Sequence, residues 1–185
     1  MNKKILIFLV FFAFFAFPSF SGTGFEVGLG SGYIFYGNDN AKSAVNSSNQ
    51  VILSTDAAFF LTMNDFIFFS LGGDAFFDFR WGSGEHIYLI DYAFLAGIRV
   101  YPNLWGLFIS MDYALGRRTD FISTEKYDGR ESTSWGNGFK ISLGYDFSAH
   151  MKSFAPELVV SLKSMPRGGS RDNLLGVSLR LTRHK

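Results

Sequence analysis

Cysteine is absent from the 185-residue chain. That removes a disulfide framework, a thiolate metal site and a thiol nucleophile together. Histidine is scarce: His86, His150 and His184 fall in a loop, a turn and the terminus, with no second histidine or carboxylate at ligand spacing. No metal site is expected from them. Proline occurs only four times, and the formal net charge is +1, which offers nothing to a nucleic-acid backbone. Apolar and aromatic residues are what is abundant: 48% of the chain is hydrophobic and 18% aromatic, with 23 phenylalanines.

Long apolar runs are missing too, except at the start, "MNKKILIFLVFFAFFAFPSFSGTG". Lys3 and Lys4 precede an apolar stretch from Ile5 to Phe17, Pro18 breaks it, and Ser19-Phe20-Ser21 reads as a cleavage site before Gly22. The stretch is shorter than the ~20 residues a spanning helix needs. Residues 1–21 are therefore expected to be a cleaved signal peptide. The mature chain, 22–185, would be slightly acidic and work outside the cytoplasm.

The stretch "IYLIDYAFLAGIRV", residues 87 to 100, places Asp91 and Arg99 inside a nearly apolar run. A helix leaves apolar side chains on every face. A strand separates Tyr88, Ile90, Tyr92, Phe94, Ala96, Ile98 and Val100 from Leu89, Asp91, Ala93, Leu95, Gly97 and Arg99. Both charges then share one face, and period two explains them. The same split recurs in "WGLFISMDYALG", "GFKISLGYDFS", "LVVSLK" and "LLGVSLRLTR", and more noisily in "GFEVGLGSGYIFYG", "VILSTDAAFFLT" and "FFSLGGDAFFDFRW". Eight strands result, each long enough to cross a membrane at the usual tilt, which takes ~9–11 residues.

The connections alternate. Gly37 to Gln50, Gly82 to His86, Arg117 to Trp135 and Pro166 to Asp172 are the longer, polar links, whereas "MND", "PN" and "SAHMKS" are tight. An up-and-down arrangement puts all the long links at one end. A soluble lipocalin-like barrel with its apolar face inward is the competing reading. Against it, the apolar face is too large and aromatic for an eight-stranded lumen, and the opposite face, rich in Gly, Ser and Ala, suits a crowded interior. Tyr36, Trp81, Tyr88, Tyr101, Trp105 and Trp135 near strand ends are expected to form interfacial girdles.

Charges inside so narrow a barrel must be paired, since desolvating one alone costs several kcal/mol. Simple register sets Asp112 opposite Lys140 and Glu157 near Arg180, and clusters Asp78, Arg80 and Asp91 near the Gly82–His86 link. The lumen also receives Leu89, Leu95, Phe108, Met165 and Leu174. In "GLGSGY", Tyr33 stands where a nucleotide-binding glycine loop needs its third glycine. Gly28, Gly30 and Gly32 are read instead as making room in the lumen or allowing curvature.

With these features the chain resembles the small eight-stranded outer-membrane barrels of the OmpX, OmpW and OmpA-barrel type. It departs from them in ending its last strand "LRLTRHK", where such proteins commonly end on an aromatic residue. The resemblance implies an all-β, antiparallel, transmembrane barrel in the outer membrane. Its expected partners are outer-membrane lipid, the barrel assembly machinery and an extracellular protein or host surface. No cofactor and no nucleic acid are expected, and the chain is expected to be a monomer. Related lipid A deacylases carry a His-x-Ser triplet that this chain lacks; His150 and Ser153 are three apart in a turn, so no catalytic residue is expected. The loop "RRTDFISTEKYDGRESTSW" carries Phe121, Ile122, Tyr127 and Trp135. These contact a protein partner, fold back as a plug, or prolong a hairpin above the membrane. A structural or surface-interaction role follows, with OmpW-like passage of small apolar solutes as the alternative; that alternative requires a dry apolar funnel below the loops.

Overall fold

The computed structural model describes residues 22–38, 49–82, 84–102, 105–125, 127–150 and 154–184. The expected signal segment 1–21, most of the polar 37–50 link, Asn103 and Ser153 lie outside the described residues. The strands are β1 (Gly22–Phe35), β2 (Asn49–Asn64), β3 (Ile67–Gly82), β4 (Glu85–Val100), β5 (Leu107–Thr124), β6 (Tyr127–Ser132), β7 (Gly136–Asp146), β8 (Ala155–Arg167) and β9 (Ser170–His184). All pairings are antiparallel; sequence neighbours pair except β6 and β7, β5 pairing with both of these, and β1 pairs with β9 to close the barrel.

Nine strands occupy eight places. The lower part of β5 pairs with β7, from Leu107↔Tyr145 to Gly116↔Gly136, and its upper part pairs with β6, from Thr119↔Ser132 to Thr124↔Tyr127. Between the two ladders Arg117 and Arg118 face three residues, 133 to 135. Thr133 N–H donates to the Arg118 carbonyl at 2.9 Å, and its Oγ1 accepts from the Arg118 N–H at 3.0 Å. The extra residue is a bulge, which bends the strand away from its partner. Above it β5 stays paired with β4 up to His86↔Ser123 and takes β6 in place of β7 on its other edge.

The long links 82–86, 117–135 and 166–172 of the sequence reading are mostly strand. β3 and β4 are paired up to Gly82↔Glu85, and β8 and β9 up to Arg167↔Ser170. The turns between them need left-handed backbone, supplied by Gly84 (φ 83°) and Gly168 (φ 69°). The asymmetry between the two ends is thus carried by strands that run on past the barrel, most of all β5 and β6.

A row of directly opposed residues passes through Gly24, Phe60, Ser70, Gly97, Asp112, Lys140, Lys163 and Leu174 and returns to β1 at Ile34. One circuit therefore climbs from Gly24 to Ile34, which tilts the strands steeply to the axis. The row also shows what lies inward. Outward side chains are apolar and exposed, such as Leu29 (71%), Phe94 (66%) and Leu179 (60%), while inward Phe108 and Leu174 have no exposure. The apolar-out reading is the observed one.

The outer apolar band is lopsided. On β3 it continues through Phe77 and Phe79 to Trp81, and on β4 up to Tyr88. On β8 and β9 the outward series turns polar at Ser164, Asn173 and Arg171. Ser164 is bonded to Asn173 (2.7 Å) and accepts from Arg171 (3.1 Å).

Candidate functional site

Two places can carry function in a barrel of this kind, the lumen and the parts that rise above the wall. At the lower end of the lumen the Arg99 guanidinium lies between the rings of Phe60 and Phe108, 4.3 and 3.9 Å from their centroids. It pairs with Glu26 (2.6 Å) and Glu157 (3.0 Å), on opposite sides of the sequence. Arg180 holds the other oxygen of Glu26 (2.8 Å) and also Asp56 (2.9 Å). Tyr101 donates to Asp146 at 3.1 Å. With Phe68 and Val159 these side chains pack the lower lumen solid.

Above them the charges form a chain. Asp74 binds Lys140 (2.9 Å) and Lys163 (2.6 Å), Lys163 also binds Asp91 (2.8 Å), and Asp91 is held in turn by Arg167. Higher still, Arg118 bridges Asp172 (2.6 Å) and Asp120 (2.8 Å). Asp78 gathers Tyr36 (2.8 Å), Gln50 (2.9 Å) and Arg80 (2.9 Å). Ile34, Ile52, Phe76, Leu89, Met165 and Leu174 pack against one another on the remaining side. Among the described residues, a cavity of about 20 Å³ remains at mid-height, between Arg99, Asp112 and Lys140. That is room for about one water. The apolar side chains that would line a funnel instead fill it.

The expected lumen residues all lie inside, but several choose other partners. Asp112 and Lys140 are opposite each other, yet the Lys140 ammonium goes to Asp74, and Asp112 accepts from Ser70 at 2.8 Å. Glu157 and Arg180 are opposite as well, yet Arg180 turns to Glu26 and Asp56 while Glu157 takes Arg99. Asp78 and Arg80 are paired, but Asp91 leaves that cluster for Lys163 and Arg167. Long cationic side chains in a narrow barrel reach the far wall as easily as the neighbouring strand. Phe108, Leu89, Met165 and Leu174 are buried and Leu95 is half-buried. Glu26, Asp74, Arg99, Arg118, Lys163, Arg167 and Asp172 belong to the network without having been singled out for it.

Two of the expected girdle residues are not on the outside. Tyr36 and Tyr101 are buried in the lumen, each bonded to an aspartate. The signal was in the parity: Tyr36 continues the inward positions Glu26 to Ile34, and Tyr101 follows Leu89 to Arg99. Trp81, Tyr88 and Trp105 do face outward and are exposed. Of the loop aromatics, Phe121 and Tyr127 are exposed on the raised hairpin. Ile122 turns inward, in step with Asp112 and Arg118, and packs on the apolar cluster. Trp135 is no loop contact but lies on the outer wall, parallel to Phe94 at 6.2 Å and edge-on to Tyr92 at 5.9 Å.

The hairpin of β5 and β6 is the other candidate. Among the described residues β6 pairs with β5 alone. Thr119 and Ser132 bond across its base (3.0 Å), and Arg130 covers the Phe121 ring at 5.3 Å. Asp120, Glu125, Asp128 and Glu131 outweigh Lys126 and Arg130 along residues 120–131. The hairpin is acidic, with two aromatic side chains exposed and a backbone edge open.

No family model matches the chain, and no curated protein matches it in sequence. Solved structures do resemble it. Ail, the attachment invasion locus protein of Yersinia pestis, in complex with the heparin analogue sucrose octasulfate, is 11% identical, with 87% of this chain and 98% of that chain covered and a TM-score of 0.57. A second Ail structure is 10% identical, covers 87% and 97%, and has a TM-score of 0.55. Identity this low speaks for the fold alone. Eight antiparallel strands, an apolar outside and a charged, filled inside give the chain the fold of the small outer-membrane β-barrels, which it resembles.

Proposed function

We propose that the chain is an integral outer-membrane barrel, delivered by its signal segment and the assembly machinery, that acts without catalysis as a surface-docking protein. The raised β5–β6 hairpin carries this reading. A free strand edge offers N–H and C=O groups to an added strand of a partner. Phe121 and Tyr127 add rigid aromatic area at low entropic cost. The acidic excess selects a partner with a basic contact surface. The heparin analogue seen with Ail is a sulfated sugar, and an acidic hairpin does not suit it. Passage of apolar solutes is disfavoured by the Arg99–Phe60–Phe108 stack across the lumen.

The test shortens the hairpin, replacing residues 122–129 by a two-residue turn, in the chain held in lipid nanodiscs. Nanodiscs with the intact chain are expected to retain basic serum proteins, at least tenfold less at high salt, and the shortened chain to retain none while keeping its boiling-dependent gel shift. Equal retention by both chains overturns the hairpin as the docking element. Steady single-channel conductance across a planar bilayer would favour solute passage instead.

A further inference from the structure

The two terminal nitrogens of a guanidinium form a fork that fits both oxygens of one carboxylate. On Arg99 each prong takes a different residue: Nη2 binds Glu26 Oε2 at 2.6 Å and Nη1 binds Glu157 Oε1 at 3.0 Å. The fork thereby brings two carboxyl groups together, and they meet each other at hydrogen-bonding separation. They come from β1 and β8, on either side of the closing strand β9, where Glu26 lies opposite Thr182 and Glu157 opposite Arg180. Both are buried, Glu157 completely. The rings of Phe60 and Phe108 close the two faces of the guanidinium that joins them.

We propose that Glu26 and Glu157 share one proton in the folded barrel at neutral pH, which ties the closing seam to the acidity of the medium. An ionised carboxylate only accepts hydrogen bonds, so two carboxyl groups bond to each other only through a proton. Side by side in a water-poor interior they do not both stay ionised. The charges around them do not remove that need. Arg180 of β9 serves Glu26 at 2.8 Å but also Asp56 of β2 at 2.9 Å, so these pairs divide two guanidiniums among three carboxylates. On β7, Asp146 adds negative charge near Glu157, and Lys140 is turned to Asp74 of β3. Asp112 of β5 is held by the hydroxyls of Ser70 and Ser110. Tyr101 of β4 gives its hydroxyl hydrogen to Asp146. The unfolded chain, whose carboxyls are free, has released this proton near neutral pH. Folding therefore takes one up, and stability is lost as pH rises, by about tenfold in the folding constant for each pH unit over which only the folded barrel keeps the proton.

Glu157→Gln puts an amide N–H in place of the shared proton and leaves Glu26 to Arg99 and Arg180. The test follows urea unfolding of the barrel, purified from outer membranes into lipid nanodiscs, by its boiling-dependent gel shift. It runs from about pH 5 to about pH 7, above the range in which a free carboxyl titrates. The folding constant of the native barrel is expected to fall about tenfold per pH unit relative to that of Glu157→Gln. Should Glu157→Gln fold poorly, Glu26→Gln gives the same comparison. Infrared spectra at neutral pH locate the proton: the native barrel is expected to show the carbonyl stretch of a protonated carboxyl, weakened in the glutamine variant. Parallel pH dependence of native and variant barrels, a native barrel without that stretch, or a stretch unchanged in the variant overturns the proposal.

Discussion

The lower and upper thirds of the lumen are filled by different means. Below, one guanidinium, Arg99, is clamped between two rings and serves two carboxylates from strands distant in sequence. Above, the charges form chains in which several members have two partners, as in Asp91 between Lys163 and Arg167, or Arg118 between Asp172 and Asp120. Below, Arg180 shares Glu26 with Arg99, but of the two only Arg99 sits between the rings and reaches Glu157. The upper arrangement is redundant, and it ends where water begins. Redundancy, more than burial, is expected to decide how much each charge matters.

Replacing Arg99 with Met sharpens this contrast most. It takes the Arg99 guanidinium from Glu157 and leaves Glu26 to Arg180, so unfolding in urea from lipid is expected to show a loss of about 3–5 kcal/mol. Glu157→Gln in the same chain should recover part of it. Lys163→Met comes next, since Asp74 keeps Lys140 and Asp91 keeps Arg167; about 1–3 kcal/mol is expected. Asp120→Asn is the mildest. It lies in the upper part of β5 and Arg118 retains Asp172, so about 1 kcal/mol or less is expected. An Asp120→Asn loss equal to that of Arg99→Met would break the comparison.

Period-two alternation made the wall of the barrel legible, strand by strand, including the register that sets Asp112 against Lys140 and Glu157 against Arg180. Asp78 with Arg80 apart, ion-pair partners were not legible. They depend on which side chains meet across the lumen, and Arg99 joins Glu26 and Glu157 through contacts that neighbouring-strand reasoning does not reach. Tyr36 and Tyr101 were assigned by nearness to strand ends, and Ile122 to a loop, when their parity pointed inward. The extent of β5 and β6 escaped because polar strand above a membrane lacks the alternation that marks strand within it; "YDGRES" has no apolar face at all.

The seam between β1 and β9, running from Gly24↔His184 to Phe35↔Asn173, has a consequence in time. Six of the eight pairings around the barrel join consecutive strands and a seventh, β5 with β7, skips only β6; this one joins the first strand to the last. Loop-closure entropy must be met before such a pairing contributes anything, which makes folding slow. Until β9 arrives, β1 and β8 each expose an open edge, the state most prone to wrong pairing. The barrel is therefore expected to close late and all at once, with the last strand acting as the latch.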